Sequence, residues 1–210
     1  MGRVLRGKPG MRVELFDGDG AAGQCEVVRV GRDEVELRLV ERLEPAAGPV
    51  LEVVVAVAVP KGKRVQRLAE ALTEAGVAAW IPFDAARSEE RPPRADEVRR
   101  WTLEACKQCR RNRGLTLEAP LDAAGLARLA GDFGLSIVCD TEGARPLREL
   151  LAGARPARAL VVVGPEGGLT PEERTTLAAG GLAAVSLGPT VLRIETAATI
   201  AAGALAVAWL

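Results

Sequence analysis

The chain has 210 residues, enough for one large domain or two small ones, and 48% of them are hydrophobic, as in a folded protein. Its 28 basic and 28 acidic side chains cancel, so any contact with a nucleic acid must come from local basic clusters. Histidine and tyrosine are both absent. Their absence excludes Ser-His-Asp and Cys-His catalysis, imidazole ligands to zinc and a phenol acting as acid or base.

The first part of the chain, residues 1 to about 45, has the pattern of a small β unit. Apolar and polar residues alternate in "MRVELFDGDG", and "QCEVVRV" and "DEVELRLV" predict two further strands joined by a short turn. The composition of "EPAAGP", residues 44–49, is typical of a linker. We therefore expect one domain over residues 1–47 and a second over residues 48–210.

The second part alternates between two kinds of pattern. Continuous apolar runs, typical of strands buried on both faces, occur at residues 51–60, 77–83, 135–140, 159–164 and 183–188. Apolar residues at helical spacing predict helices at 61–76, at 94–112 and from about 194 to the end. Strands that alternate with helices predict an α/β domain with a mostly parallel sheet.

Two further features concern the environment of the chain. The apolar run "TAATIAAGALAVAWL" has 15 residues, whereas a membrane span needs about 20, so we expect a buried or interface helix in a soluble, cytoplasmic protein. Cys106 and Cys109 form a CxxC on a predicted helix. A redox pair or half of a zinc site is one interpretation, but no second CxxC exists, and two structural cysteines on one helix face are the simpler one.

The stretch "ALVVVGPEGGLTPEE", residues 159–173, combines a buried strand, a glycine turn and a helix start. Thr170, Pro171 and Glu173 have the spacing of a capping box with proline at the first helical position. The turn "GPEGG" lies at the carboxyl end of the strand, where open α/β sheets bind ligands. It lacks the pattern of a Walker A loop or of GxGxxG, and Glu166 would repel a phosphate. A cationic ligand without phosphate, such as S-adenosylmethionine, suits it better; the alternative is a structural turn with Glu166 in solvent.

A second loop of similar construction follows the next strand in "VSLGPTVLRIETAATIA", residues 185–201. Val191 and Leu192 are apolar and follow a glycine turn, as an adenine pocket requires. Arg193 and Glu195 flank Ile194 at the predicted helix start. They are candidate catalytic residues, or else an ion pair that caps the last helix.

The two loops together, "VVVGPEGGLTPEE" and "SLGPTVLRIETAA", resemble those of the RsmE family, 16S ribosomal RNA (uracil-N3)-methyltransferases of the SPOUT superfamily. "GRVLRGKPGMRVELFDGDG" resembles the family's N-terminal PUA-like barrel, and "EACKQCRRN" a helix motif that is not a zinc site in this family. The resemblance implies a barrel truncated at its start that binds RNA, and a trefoil-knotted parallel sheet. It also implies a homodimer that uses S-adenosylmethionine, without a metal, to methylate ribosomal RNA within the small subunit.

The resemblance also implies roles for individual residues. The cofactor-binding candidates are Val163, Gly164, Glu166, Gly167, Gly168, Leu187, Gly188, Val191, Leu192 and Thr196. The RNA-binding candidates come from local basic clusters, each of which could instead be a solvated face and gains weight only together with the resemblance: Arg3, Arg6, Lys61, Lys63, Arg64, Arg110 and Arg113. Methylation of uracil N3 requires the loss of one proton, for which Glu195 and Glu166 are candidate acceptors, with Glu166 preferred for positioning the cofactor, and Arg193 is the candidate to stabilise the developing anion.

Some residues depart from the family pattern, and two other functions stay open. Arg111 replaces a common glycine, Ile194 replaces a threonine, and the histidine that often precedes "RVLR" is missing. A SPOUT enzyme that methylates the ribose 2′-hydroxyl has similar glycine loops, and a non-catalytic RNA-binding or assembly module could retain the same fold. The PUA-like start and "LRIETAA" favour the uracil enzyme.

Overall fold

The computed structural model describes residues 8–43, 51–142, 144–153 and 155–209. Over these residues the chain forms ten strands and six α-helices. The strands are β1 (Arg12–Phe16), β2 (Ala22–Val30), β3 (Val35–Leu43), β4 (Glu52–Val57), β5 (Ala79–Pro82), β6 (Thr116–Leu117), β7 (Leu135–Cys139), β8 (Arg145–Pro146), β9 (Arg158–Val163) and β10 (Ala183–Ser186). The helices are α1 (Arg64–Glu74), α2 (Ala95–Cys109), α3 (Ala123–Leu129), α4 (Leu147–Leu151), α5 (Pro171–Ala179) and α6 (Ile194–Ala208).

The chain divides into two compact units, and the first contains a segment from the middle of the sequence. It takes its described residues from 1–48 and from Arg110–Gly114. The first three strands form an antiparallel sheet in the order β1-β2-β3, as their alternating pattern predicts. Asn112 Nδ2 donates to the carbonyl oxygen of Gly20 at 2.9 Å, and the N–H of Gly114 donates to Gly18 at 2.8 Å. The family's PUA-like barrel stays a prediction, and the predicted linker 44–49 lies outside the described residues.

The end of α2 differs from the prediction. The sequence pattern predicted a helix to residue 112, but α2 ends at Cys109, and Arg110 adopts a left-handed conformation with a φ of 59°. Charged residues continue past this point without a helix-breaking residue, so helical periodicity alone does not mark the end. The helix ends at this point because Asn112 and Arg113 instead contact Gly18 and Gly20 of the first unit.

The second unit consists of the described residues of 49–109 and 115–210. Its seven-stranded parallel sheet has the order β6-β5-β4-β9-β7-β10-β8. The five strands predicted from apolar runs are confirmed. The two edge strands β6 and β8 and the helices α3 and α4 were not predicted; each edge strand has only two residues, too few for a periodic pattern.

The central strands bury side chains on both faces, which explains their continuous apolar sequence. On β4, Val55 and Val57 face one core cluster together with α1 and α6, whereas Ala56 faces the other, which includes residues of α3 and α5. The last helix is packed into the first cluster, where Ala198 and Leu205 have no exposed surface. No helix in the described part of the chain combines the length and apolar character that a membrane crossing requires.

The predicted helix start at Thr170 is confirmed and has a second function in the fold. Thr170 Oγ1 accepts a hydrogen bond from the N–H of Glu173 at 3.2 Å, and Glu173 Oε2 accepts one from the N–H of Thr170 at 2.8 Å. Glu173 Oε1 also accepts the N–H of Ala86 at 2.8 Å. The buried Glu173 therefore ties the loop after β5 to the end of the glycine turn.

We expect Glu173→Gln to lower the free energy of unfolding by about 2 kcal/mol, because the amide keeps one acceptor and turns a donor towards the other N–H. The matched control is Glu172→Gln, which changes an exposed neighbouring carboxylate in the same helical turn. Urea unfolding followed by circular dichroism measures both. Equal stabilities of the two variants would contradict this role for Glu173.

Candidate functional site

Three loops meet in one pocket of the second unit because they follow neighbouring parallel strands. The strands β9, β7 and β10 are adjacent in the sheet and end at the same edge. The pocket is lined by the carboxyl ends of these strands and the loops that follow them: residues 139–141 at β7, residues 163–166 and 168–169 at β9, and residues 185–188 and 190–192 at β10. Ile194 and Ala197 of α6 complete it.

Most of the residues predicted to hold a cofactor are brought together here. Those that line the pocket are Val163, Gly164, Glu166, Gly168, Leu187, Gly188, Val191 and Leu192. Gly167 and Thr196 do not line it. Gly167 borders an adjacent depression with Lys61 and Arg87, and its carbonyl oxygen accepts a hydrogen bond from Arg87 Nη1 at 2.6 Å. Thr196 is exposed on the first turn of α6.

The glycine turn after β9 needs glycine at two positions for different reasons. A Cβ atom at Gly164 would lie 2.8 Å from Leu169 Cδ2, so a larger residue here would displace that buried leucine. Gly168 has a φ of 71°, in the left-handed region that favours glycine, and its N–H donates to the carbonyl oxygen of Pro165 at 2.9 Å. These constraints fold the turn back on itself and leave Glu166 exposed at its tip.

Asp140 is a pocket residue that sequence reasoning missed. Its carboxylate accepts hydrogen bonds from Arg174 Nε at 2.7 Å and Nη2 at 3.3 Å, and from the N–H groups of Thr141 and Glu142. Burial by itself would raise the pKa of Asp140, but these hydrogen bonds and the charge of Arg174 outweigh it and lower the pKa below the usual value. The available signal was the position of Asp140 directly after a buried strand.

None of the four cysteines forms a disulfide. Burial, with a contribution from the Asp140 charge, raises the pKa of Cys139 to about 12, so its thiol stays protonated at neutral pH. Cys106 is buried and Cys109 partly buried on α2, and the two are not joined in a disulfide. Within the described ranges, no group of three or more cysteine, aspartate or glutamate side chains is arranged to hold a metal ion.

The two predicted catalytic residues do not pair with each other. Glu195 forms its ion pair with Arg64, whose Nη1 lies 3.8 Å from Glu195 Oε2, and Arg64 Nη2 lies 2.9 Å from Glu166 Oε1. Arg193 is exposed at the N-cap of α6, and its side chain makes no capping hydrogen bond. The alternative in which Arg193 and Glu195 cap the last helix as an ion pair is therefore wrong.

The residues predicted to bind RNA fall in different places. Arg3 and Arg6 lie outside the described residues. In the second unit, Lys61 forms an ion pair with Glu89, and Lys63 is exposed at the N-cap of α1. Two others belong to the first unit: Arg110 is exposed, and the Arg113 guanidinium lies against Gly20, 3.1 Å from where a Cβ of that glycine would be.

Comparison with known families defines the class of this protein. A family model described as an RNA methyltransferase domain matches residues 47–206, and one described as an RNA methyltransferase PUA domain matches residues 1–40. The first of these contains all three loops of the pocket.

Individual relatives narrow the class further. The chain is 35% identical to the ribosomal RNA small subunit methyltransferase E of Mycobacterium bovis, over 97% of this chain and 81% of the relative. It is 30% identical to the protein of the same name from Bacillus subtilis, over 96% of this chain and 84% of the relative. A Legionella pneumophila structure, described as a putative methyltransferase in complex with bound SAM, superposes with a TM-score of 0.86 at 30% identity, covering 99% of this chain and 87% of that one. The chain belongs to the RsmE family, that of the ribosomal RNA small subunit methyltransferase E proteins.

The Asp140–Arg174 pair predicts a dependence of stability on pH. Because the folded-state pKa of Asp140 is lowered, its contribution is present above the unfolded-state pKa of about 3.9 and is lost as the pH falls through the folded-state value. We expect Asp140→Asn to cost about 2 kcal/mol at pH 7 and progressively less below a pH of about 4. Urea unfolding at pH 7 and at several pH values below about 4 measures this difference, with the exposed Asp132→Asn as control. A difference from the wild type that stays constant over this range would contradict the role of the carboxylate charge.

Proposed function

We propose that this protein transfers a methyl group from S-adenosylmethionine to N3 of a uracil in small-subunit ribosomal RNA. The observation that carries the proposal is the pocket at the carboxyl edge of β9, β7 and β10, built from both of the motif-bearing loops. The names of the Mycobacterium and Bacillus relatives and the bound SAM of the Legionella structure support the same activity.

The lining of the pocket fits a cationic ligand that carries no phosphate. It includes the carboxylates of Asp140 and Glu166 and, among the described residues, neither lysine nor arginine. Apolar side chains, among them Val163, Leu187 and Leu192, offer a surface to a flat adenine ring. S-adenosylmethionine supplies an electrophilic methyl group on a positively charged sulfur. Glu166 at the tip of the glycine turn would balance that charge, and the loops that line the pocket would orient the methyl group.

The structure favours Glu195 over Glu166 as the acceptor of the N3 proton. Glu195 Oε2 is buried and has no hydrogen-bond partner in the described part of the chain, so it can accept one more hydrogen bond. Glu166 Oε1 already accepts a hydrogen bond from Arg64. We therefore assign proton removal to Glu195 and charge balance to Glu166. Arg193, exposed at the start of α6, is assigned to hydrogen bonding with a uracil carbonyl oxygen.

We extend the proposal to a homodimer that pairs through α6. Ile200 and Val207 of this helix are apolar and exposed, with 45% and 70% of their surface accessible. Ile200 also borders a depression lined mostly by apolar side chains, including Leu147, Leu151 and Leu187. A second copy would cover this surface, which would be costly to leave in water. The trefoil knot, the small-subunit setting of the RNA substrate and a cytoplasmic location, where ribosomes are assembled, belong to the same proposal.

Cofactor binding tests the proposal at its first step. We expect saturable binding of S-adenosylmethionine to the wild type, and about fivefold weaker binding to Glu166→Gln, because one partly exposed charge near the ligand is worth about 1 kcal/mol. Glu172→Gln, which removes an exposed carboxylate outside the pocket, should bind like the wild type. Isothermal titration calorimetry measures all three. A folded wild type that does not bind would exclude the proposed activity.

Single-turnover kinetics separate the roles of the two glutamates. We expect Glu195→Gln to lower the methyl-transfer rate at saturating cofactor by roughly 100-fold, the usual contribution of a general base, with little change in cofactor affinity. Glu166→Gln should weaken cofactor binding. At saturating cofactor it should lower the methyl-transfer rate far less than Glu195→Gln does. The reverse pattern would transfer the base assignment to Glu166.

A further inference from the structure

Arg64, at the start of α1, connects two parts of the site that are distant in sequence. Its guanidinium lies between the carboxylate of Glu166, 102 residues later in the glycine turn, and that of Glu195 in the first turn of α6. Its Nε also donates to the carbonyl oxygen of Lys61 at 3.3 Å. The side chain is 28% exposed, whereas the neighbouring Lys63 and Arg67 are both exposed to solvent. Arg64 is therefore partly buried against the site and does not belong to the solvent-exposed face of α1.

The two carboxylates depend on Arg64 in different ways. Glu166 receives a direct charge-assisted hydrogen bond at 2.9 Å. Glu195 is only 16% exposed, and the 3.8 Å separation from Arg64 Nη1 is a charge interaction without a hydrogen bond. Arg64 is the cation paired with Glu195 among the described residues. A mostly buried carboxylate that loses its counter-charge becomes costly to keep ionised in place.

We propose that Arg64 is a positioning residue that fixes the charge-balancing Glu166 and the proton acceptor Glu195 relative to each other. This inference rests on the proposed function and adds a residue to that same site. One guanidinium can serve both carboxylates because its two terminal nitrogens point in different directions on a rigid plane. A lysine at the same position would keep the positive charge but present a single nitrogen, so it should restore only part of the arrangement.

This role is distinguishable from the RNA contact that the sequence pattern around "KGKR" suggests. An arginine that binds a phosphate raises the KM for RNA when it is removed and makes binding less sensitive to salt. A positioning residue instead lowers kcat, because the reacting groups are no longer held in line, and leaves the KM for RNA unchanged. An RNA contact therefore predicts a raised KM with unchanged kcat, and a positioning role predicts a lowered kcat with unchanged KM.

The experiment compares Arg64→Met, Arg64→Lys and the control Arg67→Met, which removes an exposed arginine of the same helix. For each, we would measure the dissociation constant of S-adenosylmethionine, and kcat and KM with small-subunit ribosomal RNA. We expect Arg64→Met to lower kcat by about 100-fold, with the KM for RNA within about twofold of the value for Arg67→Met. Arg64→Lys should have an intermediate kcat. Removing a nearby positive charge would by itself tighten the binding of a cationic cofactor, so a fall in cofactor affinity in the order wild type, Lys, Met would report the lost positioning of Glu166.

Other outcomes would overturn the inference. A raised KM with unchanged kcat in Arg64→Met would make Arg64 an RNA contact, and wild-type constants would leave it without a role. If Arg64→Met does not fold, a wild-type kcat in a folded Arg64→Lys would also reject positioning. A wild type that transfers no methyl group would instead reject the proposed function. In that case the dissociation constants of S-adenosylmethionine would still test whether Arg64 positions Glu166. Equal constants for the wild type and all variants would reject that role.

Discussion

The parallel pairing of β9 with β7, and of β7 with β10, is the constraint on which the site depends. Parallel strands place their carboxyl ends at one edge of a sheet, so loops that are far apart in the sequence become neighbours. The glycine turn after β9, the aspartate after β7 and the apolar loop after β10 meet only because of this order. The helices α1 and α6 then cover one face and bring Arg64 and Glu195 to the same edge.

Local charge in the site matters more than the net charge of the chain, which is zero. The carboxylates in and beside the pocket are balanced by arginines that lie outside its lining: Arg174 of α5 pairs with Asp140, and Arg64 of α1 pairs with Glu166 and Glu195. This arrangement keeps the wall of the pocket free of positive charge, which suits a cationic cofactor. It also fixes the carboxylates without occupying the space that the ligand needs.

The parts of the site that follow from the sequence are those with a local signature. A buried strand, a glycine turn and a capping box are encoded within about fifteen residues, so the loop of Glu166 and the start at Thr170 could be predicted. Asp140 and Arg64 could not be assigned, because their partners Arg174 and Glu166 lie 34 and 102 residues away. A basic residue in "KGKR" looks the same in the sequence whether it faces RNA or a buried carboxylate. The same limit explains why the pairing of Arg110–Gly114 with the first unit was missed.

The central claim is that this pocket supports transfer of a methyl group to uracil N3, and the most direct measurement follows the methyl group itself. The protein would be incubated with isotopically labelled S-adenosylmethionine and small ribosomal subunits or their RNA, followed by digestion to nucleosides and mass spectrometry. The account predicts the label on the base of a 3-methyluridine. Label on a ribose 2′-oxygen, or no incorporation by a protein that binds the cofactor, would contradict it.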